Sequence, residues 1–168
     1  MEEKKHIITA LVLNKSGVLT RISGLFARRG YNIDSLSVCS TEDPKISRMT
    51  IVVCGDDDIL KQIVRQLDKV VDCIKTDTLD PATSVKRELL LIKLLISPAQ
   101  RPEIESTCNM FKVKIIDLAE NSVICEMTGE PNKIDSFIDI VKGYGILELA
   151  RTGLTALSRG NKTINSEI

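Results

Sequence analysis

Few side chains in this 168-residue chain are arranged for chemistry, and the most suggestive group is Asn14-Lys-Ser-Gly-Val-Leu19. It follows the apolar or small run Ile7 to Leu13 and opens a helix-like pattern. Amides around Gly17 to Leu19 would have no intrahelical acceptors. A carboxylate could satisfy them and gain from the helix dipole. Gly17 leaves the backbone unshielded, and Asn14 offers both a carbonyl and an amide, suited to an ammonium group or a carboxylate. The competing reading is a plain helix cap made by the side chain of Asn14 or Ser16. Spacing alone leaves both open.

Other candidates are weaker. The single histidine, His6, is expected near a mobile end, exposed and without a role. Asp56 to Asp58 read as dipole partners at a helix start rather than as metal ligands. Gly143-Tyr144-Gly145 reads as a turn. No nucleophile elbow, phosphate loop or dinucleotide fingerprint is present. No acid, base and nucleophile converge, so the chain is expected to hold no catalytic site of its own and no metal site.

Composition narrows the partners. Lys plus Arg and Asp plus Glu each number 23, which argues against a nucleic-acid or anionic-membrane partner. Without Trp, and with two Tyr and three Phe, base-stacking platforms are not expected. The five cysteines, Cys39, Cys54, Cys73, Cys108 and Cys125, are dispersed and form no C-x-x-C, which fits reduced thiols. Met1 to His6 lacks the cleavable signal pattern, and Leu89 to Ile96, interrupted by Lys93, is too short to span a bilayer. The expectation is a soluble, cytoplasmic chain.

The elements that must position these residues recur in the same order twice. Ile7 to Leu13 reads as a buried strand. Val18, Ile22, Leu25 and Phe26 share one face of a helix, closed by Arg28, Arg29 and Gly30. Strands follow at Asn32 to Ser40 and around Met49 to Val53, then a helix with Ile59, Leu60, Ile63, Val64 and Leu67 inward, then a strand at Val70 to Thr76. Asp77 to Val85 is polar, contains Pro81 and reads as linking sequence. The order resumes with a strand at Glu88 to Ile96, a helix carrying Pro102, Ile104, Cys108 and Phe111, and strands at Lys112 to Leu118 and Val123 to Met127. A helix with Ile134, Phe137, Ile138 and Val141 inward and a strand at Ile146 to Ala150 complete it. The predicted fold is α+β, two tandem ferredoxin-like βαββαβ domains. Their expected bounds are 1–79 and 86–160, with a linker at 80–85 and a flexible tail at 161–168. Such sheets leave a face or edge open, so association is expected.

The stretch "LNKSGVLTRISGLFARRGYNIDSLSV" resembles the amino-acid-sensing ACT domain, in particular that of the acetolactate synthase (acetohydroxyacid synthase) small-subunit family. The resemblance continues through "EDPKISRMTIVV", "VKRELLLIKL", "KIIDLAENSVICEMTG" and "GILELARTGLTALSRG", covering roughly Ile7 to Gly160. It implies that the first domain is an ACT domain and that the chain is a regulatory subunit. Such a subunit stimulates a separate catalytic (large) subunit, which converts pyruvate to 2-acetolactate, and confers feedback inhibition by valine or another branched-chain amino acid. It places thiamine diphosphate, Mg2+ and FAD in the catalytic partner and none of them here. Carried over residue by residue, the effector contacts are Asn14, Gly17, Val18 and Leu19 at the helix start, with Asn32 and Ile33 on the second strand. Arg151, Thr152 and Gly153 are the candidates for activation of the catalytic subunit, against the simpler reading of a turn after the last strand. A stand-alone amino-acid-sensing regulator of another pathway is the alternative.

A helix of about twelve residues between Asn14 and Asn32 would be near 18 Å long at ~1.5 Å per residue. One chain cannot easily bring both asparagines to one small ligand. Two chains related by a two-fold axis can, so a homodimer with the effector between its first domains is expected.

Overall fold

The computed structural model describes residues 4–165. Its elements are β1 (Lys4–Leu13), α1 (Val18–Arg29), β2 (Ile33–Ser40), β3 (Ile46–Gly55), α2 (Asp57–Leu67), β4 (Cys73–Leu79), β5 (Ser84–Leu95), α3 (Arg101–Phe111), β6 (Lys114–Leu118), β7 (Ser122–Gly129), α4 (Pro131–Val141), β8 (Ile146–Arg151) and β9 (Thr155–Ser158). They form two compact units, residues 4–85 with 154–165 and residues 86–153.

In the first unit the strands lie in the order β2-β3-β1-β4, all neighbours antiparallel. This is the split βαβ arrangement, in which β3 enters between β1 and β2. One face is formed by Ile8, Ala10, Val12, Met49, Ile51 and Val53, packed against Val18, Ile22, Leu25 and Phe26 of α1 and Ile63 and Leu67 of α2. On the opposite face Ile7, Val52 and Leu79 bury Leu154 and Ala156. β1 is therefore covered on both faces, which is why its sequence is apolar without alternation. Asp56 caps α2 by accepting from the amides of Asp58 and Ile59, at 3.1 and 2.8 Å. The acidic run is thus a cap and first turn.

The second unit repeats the plan with strand order β6-β7-β5-β8. Leu90, Ile92 and Leu94 of β5 and Val123, Cys125 and Met127 of β7 pack on Ile104 and Cys108 of α3 and on Ile134, Phe137 and Val141 of α4. The architecture is the expected α+β pair of βαββαβ units.

Several expectations need correction. β4 runs to Leu79 and β5 begins at Ser84, so the linking segment is 80–83 rather than 80–85. The observed division departs from the expected second domain, 86–160, because Leu154 and Ala156 are buried in the first unit, Ala156 within β9. In the expected flexible tail, Lys162 Nζ lies 3.3 Å from Asp77 Oδ2, while 166–168 lie outside the described residues. His6 is not exposed: it sits within β1, 7% accessible, with Nε2 3.0 Å from the Gly55 carbonyl oxygen.

Candidate functional site

The chain leaves β1 through a loop tied down on two sides. The Leu13 amide donates to the Asp72 carbonyl at 2.8 Å, and the Asn14 amide donates to Lys45 O at 2.7 Å. Asn14 Nδ2 donates to Pro44 O at 2.8 Å, which fixes the orientation of the side-chain amide and turns Oδ1 to the acceptor role. Neither Asn14 nor Ser16 caps α1. The cap position is Gly17 itself, left-handed at φ 84°, with no side-chain hydrogen bond to the helix start. The Val18 amide makes only a long bond, 3.4 Å, to Lys15 O. The amides of Leu19 and Thr20 have no acceptor within a helix, and the space a side chain would take at Gly17 is empty to 4 Å.

The neighbours divide the work. Val18 is 4% exposed and belongs to the core, so only its backbone faces the loop, whereas Leu19 is 48% exposed. Arg21, one turn on, donates through Nη1 to the buried carboxylate of Asp72. That ion pair joins the first turn of α1 to the loop that already accepts from Leu13. Asp72 was not singled out from sequence, since nothing local marks it.

Asn32 stands at the other end of α1, just before β2. Its Nδ2 donates to Asp34 Oδ1 at 3.1 Å, which again leaves the side-chain carbonyl in the acceptor role. Asp34 also accepts from Cys54 Sγ at 3.1 Å and pairs with Lys5 at 3.6 Å. The Cys54 hydrogen bond, opposed by burial and helped by Lys5 and Asn32, holds the Asp34 carboxyl below its ordinary range. Asp34 is thus the orienting residue for Asn32; the Asn-x-Asp spacing was its only sequence signal. Ile33 is half-buried against the first core. β2 is an edge strand of its sheet. The twelve residues of α1 separate Asn14 from Asn32 by about 18 Å of helix, so one chain does not bring them together. A cleft of about 510 Å3 in the first unit contains none of these six residues.

Arg151, Thr152 and Gly153 close the second unit. The Arg151 guanidinium donates through Nε and Nη2 to Glu88 Oε2, the former at 2.9 Å, and through Nη1 to Asp135 Oδ1 at 2.7 Å. Glu88 is 7% exposed, so the arginine neutralises a buried carboxylate. An acid opening an apolar strand was the sequence signal for such a partner. Thr152 exchanges hydrogen bonds with Leu89, its amide to the carbonyl and the Leu89 amide to its Oγ1, both at 3.1 Å. Gly153 takes φ 79°, a left-handed turn. The turn reading and a contact role are compatible here: the cation is occupied within the unit, and Thr152 is exposed.

Among the described residues no three His, Cys, Asp or Glu are grouped to hold a metal, and no helix is long and apolar enough to cross a membrane.

Comparison with known proteins finds two matched segments, the second of which extends past residue 153. Residues 8–75 match the model described as "AHAS small subunit-like ACT domain", and residues 87–160 match "Small subunit of acetolactate synthase". The chain is 48% identical over 165 residues to a probable acetolactate synthase small subunit of Methanothermobacter thermautotrophicus, covering 98% of each. It is 44% identical over 170 residues to the acetolactate synthase small subunit of Bacillus subtilis, covering 96% of this chain and 98% of that one. The crystal structure of the acetolactate synthase small subunit from Thermotoga maritima superposes with a TM-score of 0.89 at 38% identity, over 95% of this chain and 99% of that one.

Proposed function

We propose, from the premise that the chain belongs to the acetolactate synthase small-subunit family, that it is the non-catalytic regulatory subunit of that enzyme. In this reading it works in the cytoplasm, stimulates a catalytic subunit that forms 2-acetolactate from pyruvate, and makes that subunit sensitive to valine or another branched-chain amino acid. Thiamine diphosphate, Mg2+ and FAD belong to the catalytic partner. The observation that carries the effector site is the open start of α1, where Gly17 stands without a side-chain cap and with empty space beside it.

The chemistry assigns each group of the ligand a partner. The effector carboxylate takes the amides of Leu19 and Thr20 at the positive end of α1. Its ammonium group takes the free carbonyl oxygen of Asn14 and, from a second copy, that of Asn32. Its branched side chain packs on Leu19 and on Ile33 of the second copy. The β2 edge, unpaired in one chain, supports side-by-side association of two first units.

Feedback at ~0.1 mM ligand needs about 5–6 kcal/mol of binding free energy. The helix terminus supplies about 0.3–2 kcal/mol. Burial of a valine-sized side chain adds about 1.5–3 kcal/mol, and the asparagine hydrogen bonds supply the remainder. One methylene is worth about 0.8 kcal/mol, so discrimination among valine, leucine and isoleucine is modest. Binding favours one arrangement of the two first units over another, and that preference is what the catalytic subunit senses. Stimulation uses the turn at Arg151, Thr152 and Gly153, with Arg151 shaping the turn through Glu88 and Asp135.

The test is to add the chain to purified catalytic subunit and follow acetolactate formation with and without valine. Stimulation reversed by valine is expected; no change of rate on addition would refute the reading. A second measurement addresses the shared site: an Asn14→Ala chain mixed with an Asn32→Ala chain regains one intact site per heterodimer. Equal loss of valine binding in mixed and separate samples would exclude a ligand shared between copies.

A further inference from the structure

We propose that Cys108 and Cys125 are an oxidation-sensitive thiol pair, closing to an internal disulfide when a hydroperoxide reaches the core of the second unit. Their sulfurs are 3.7 Å apart, in direct contact, and both side chains are free thiols, 2% and 0% exposed. Cys108 lies on the inner face of α3, one turn after Ile104; Cys125 lies at the centre of β7, opposite Ile92 of β5 and Ile115 of β6. A disulfide needs a sulfur separation of about 2.05 Å, so closure draws α3 toward the sheet rather than requiring a new neighbour. The other three cysteines, Cys39, Cys54 and Cys73, all lie in the first unit, so this is the one cysteine pair within the second.

The two sulfurs have different roles. The contact between the two sulfurs favours the Cys108 thiolate against the opposing effect of burial, while the same contact and burial push the Cys125 thiol up. Cys108 is therefore the attacking sulfur. Its thiolate attacks one oxygen of hydrogen peroxide: the S–O bond forms, the O–O bond breaks, and the departing hydroxide takes up the proton that Cys108 released, becoming water. Cys125 then attacks the Cys108 sulfenic acid: the S–S bond forms, the S–O bond breaks, and the hydroxide leaves with the Cys125 proton as a second water. Two thiols are oxidised and one hydroperoxide is reduced.

In this proposal the peroxide enters at the end of α3. That helix ends at Phe111, and Lys112, in the left-handed region at φ 58°, caps it. Lys112 is the single non-glycine residue at positive φ among the described residues. A left-handed L-residue one position beyond the last turn lowers the cost of opening it, and the Cys108 carbonyl oxygen accepts from the Val113 amide, at 2.8 Å, where that turn closes.

The experiment exposes the folded chain to hydrogen peroxide until Cys39 is fully oxidised, blocks remaining thiols with N-ethylmaleimide, and maps peptides by mass spectrometry. A Cys108–Cys125 linked peptide, lighter by two hydrogens and reversed by dithiothreitol, is expected. The link persists in a Cys39→Ser, Cys54→Ser, Cys73→Ser variant, and in Cys125→Ser the Cys108 sulfenic acid is trapped by dimedone instead. Two unmodified thiols at Cys108 and Cys125 while Cys39 is consumed would overturn the proposal. So would a link that forms only in urea.

Discussion

Charge at Gly17 is the most discriminating perturbation of the proposed effector site. Gly17 has φ +84° and open space to 4 Å where a side chain would begin, so a substitution meets no steric obstacle. A left-handed L-residue costs roughly 1–2 kcal/mol, less for Asn and Asp, whose short polar side chains adapt to that region. Gly17→Asn and Gly17→Asp therefore share their backbone penalty and nearly their size, and differ by one negative charge. With that charge ~4 Å from a bound carboxylate, repulsion is about 1 kcal/mol at the dielectric of water and about 4 kcal/mol at an effective value near 20. The Asp variant should bind valine at least ~5-fold more weakly than the Asn variant, at 1.4 kcal/mol per tenfold. The gap should narrow as salt is raised. Calorimetric titration of both variants at low and high ionic strength measures it, and acetolactate assays with the catalytic subunit should find stimulation intact in both. Equal affinities for the two variants, or full valine sensitivity in Gly17→Asp, would refute the placement of a carboxylate on this helix start.

Three further outcomes are expected. Arg151→Met strands the buried Glu88 carboxylate and should lower stability to denaturant by about 3–5 kcal/mol; adding Glu88→Leu should recover most of it. Leu154→Ala, at a position 4% exposed against Ile7, Val52 and Leu79, should cost about 2–5 kcal/mol by urea titration although it lies far along the chain from that sheet. Burial, helped by the charge of Asp68, pushes the Cys73 thiol up to about 11. A raised value means less thiolate at any lower pH, so alkylation of Cys73 by iodoacetamide should climb about tenfold per pH unit until that value is approached.

The local reading reached the repeated order of elements because periodicity, caps and turn residues act over a few neighbours. Gly30 does close α1 in the left-handed conformation, and Pro102 does stand in the first turn of α3. The boundaries moved where partners are distant: the polar Asp77 and Thr78 belong to β4 because they pair with Thr9 and Ile8 of β1. The residues proposed to hold the effector stood out as a motif, but the hydrogen bonds their side chains make did not. Asn14 spends its amide on Pro44, thirty residues away, and Asn32 spends its amide on Asp34.

What the sequence by itself determined is the two βαββαβ units, the glycine-opened helix and the family they belong to, since each is written in residues close together. The unbroken apolar run of β1 even required cover on both sides. Which segment supplies it was decided only by the tertiary structure. Leu154 and Ala156 arrive from beyond the second unit, and Ser37 Oγ donates to the Leu154 carbonyl across 117 residues. Arg151 likewise meets Glu88 across 63 residues. Periodicity records which face of an element is buried; the identity of the partner depends on chain closure over distances at which no local pattern persists.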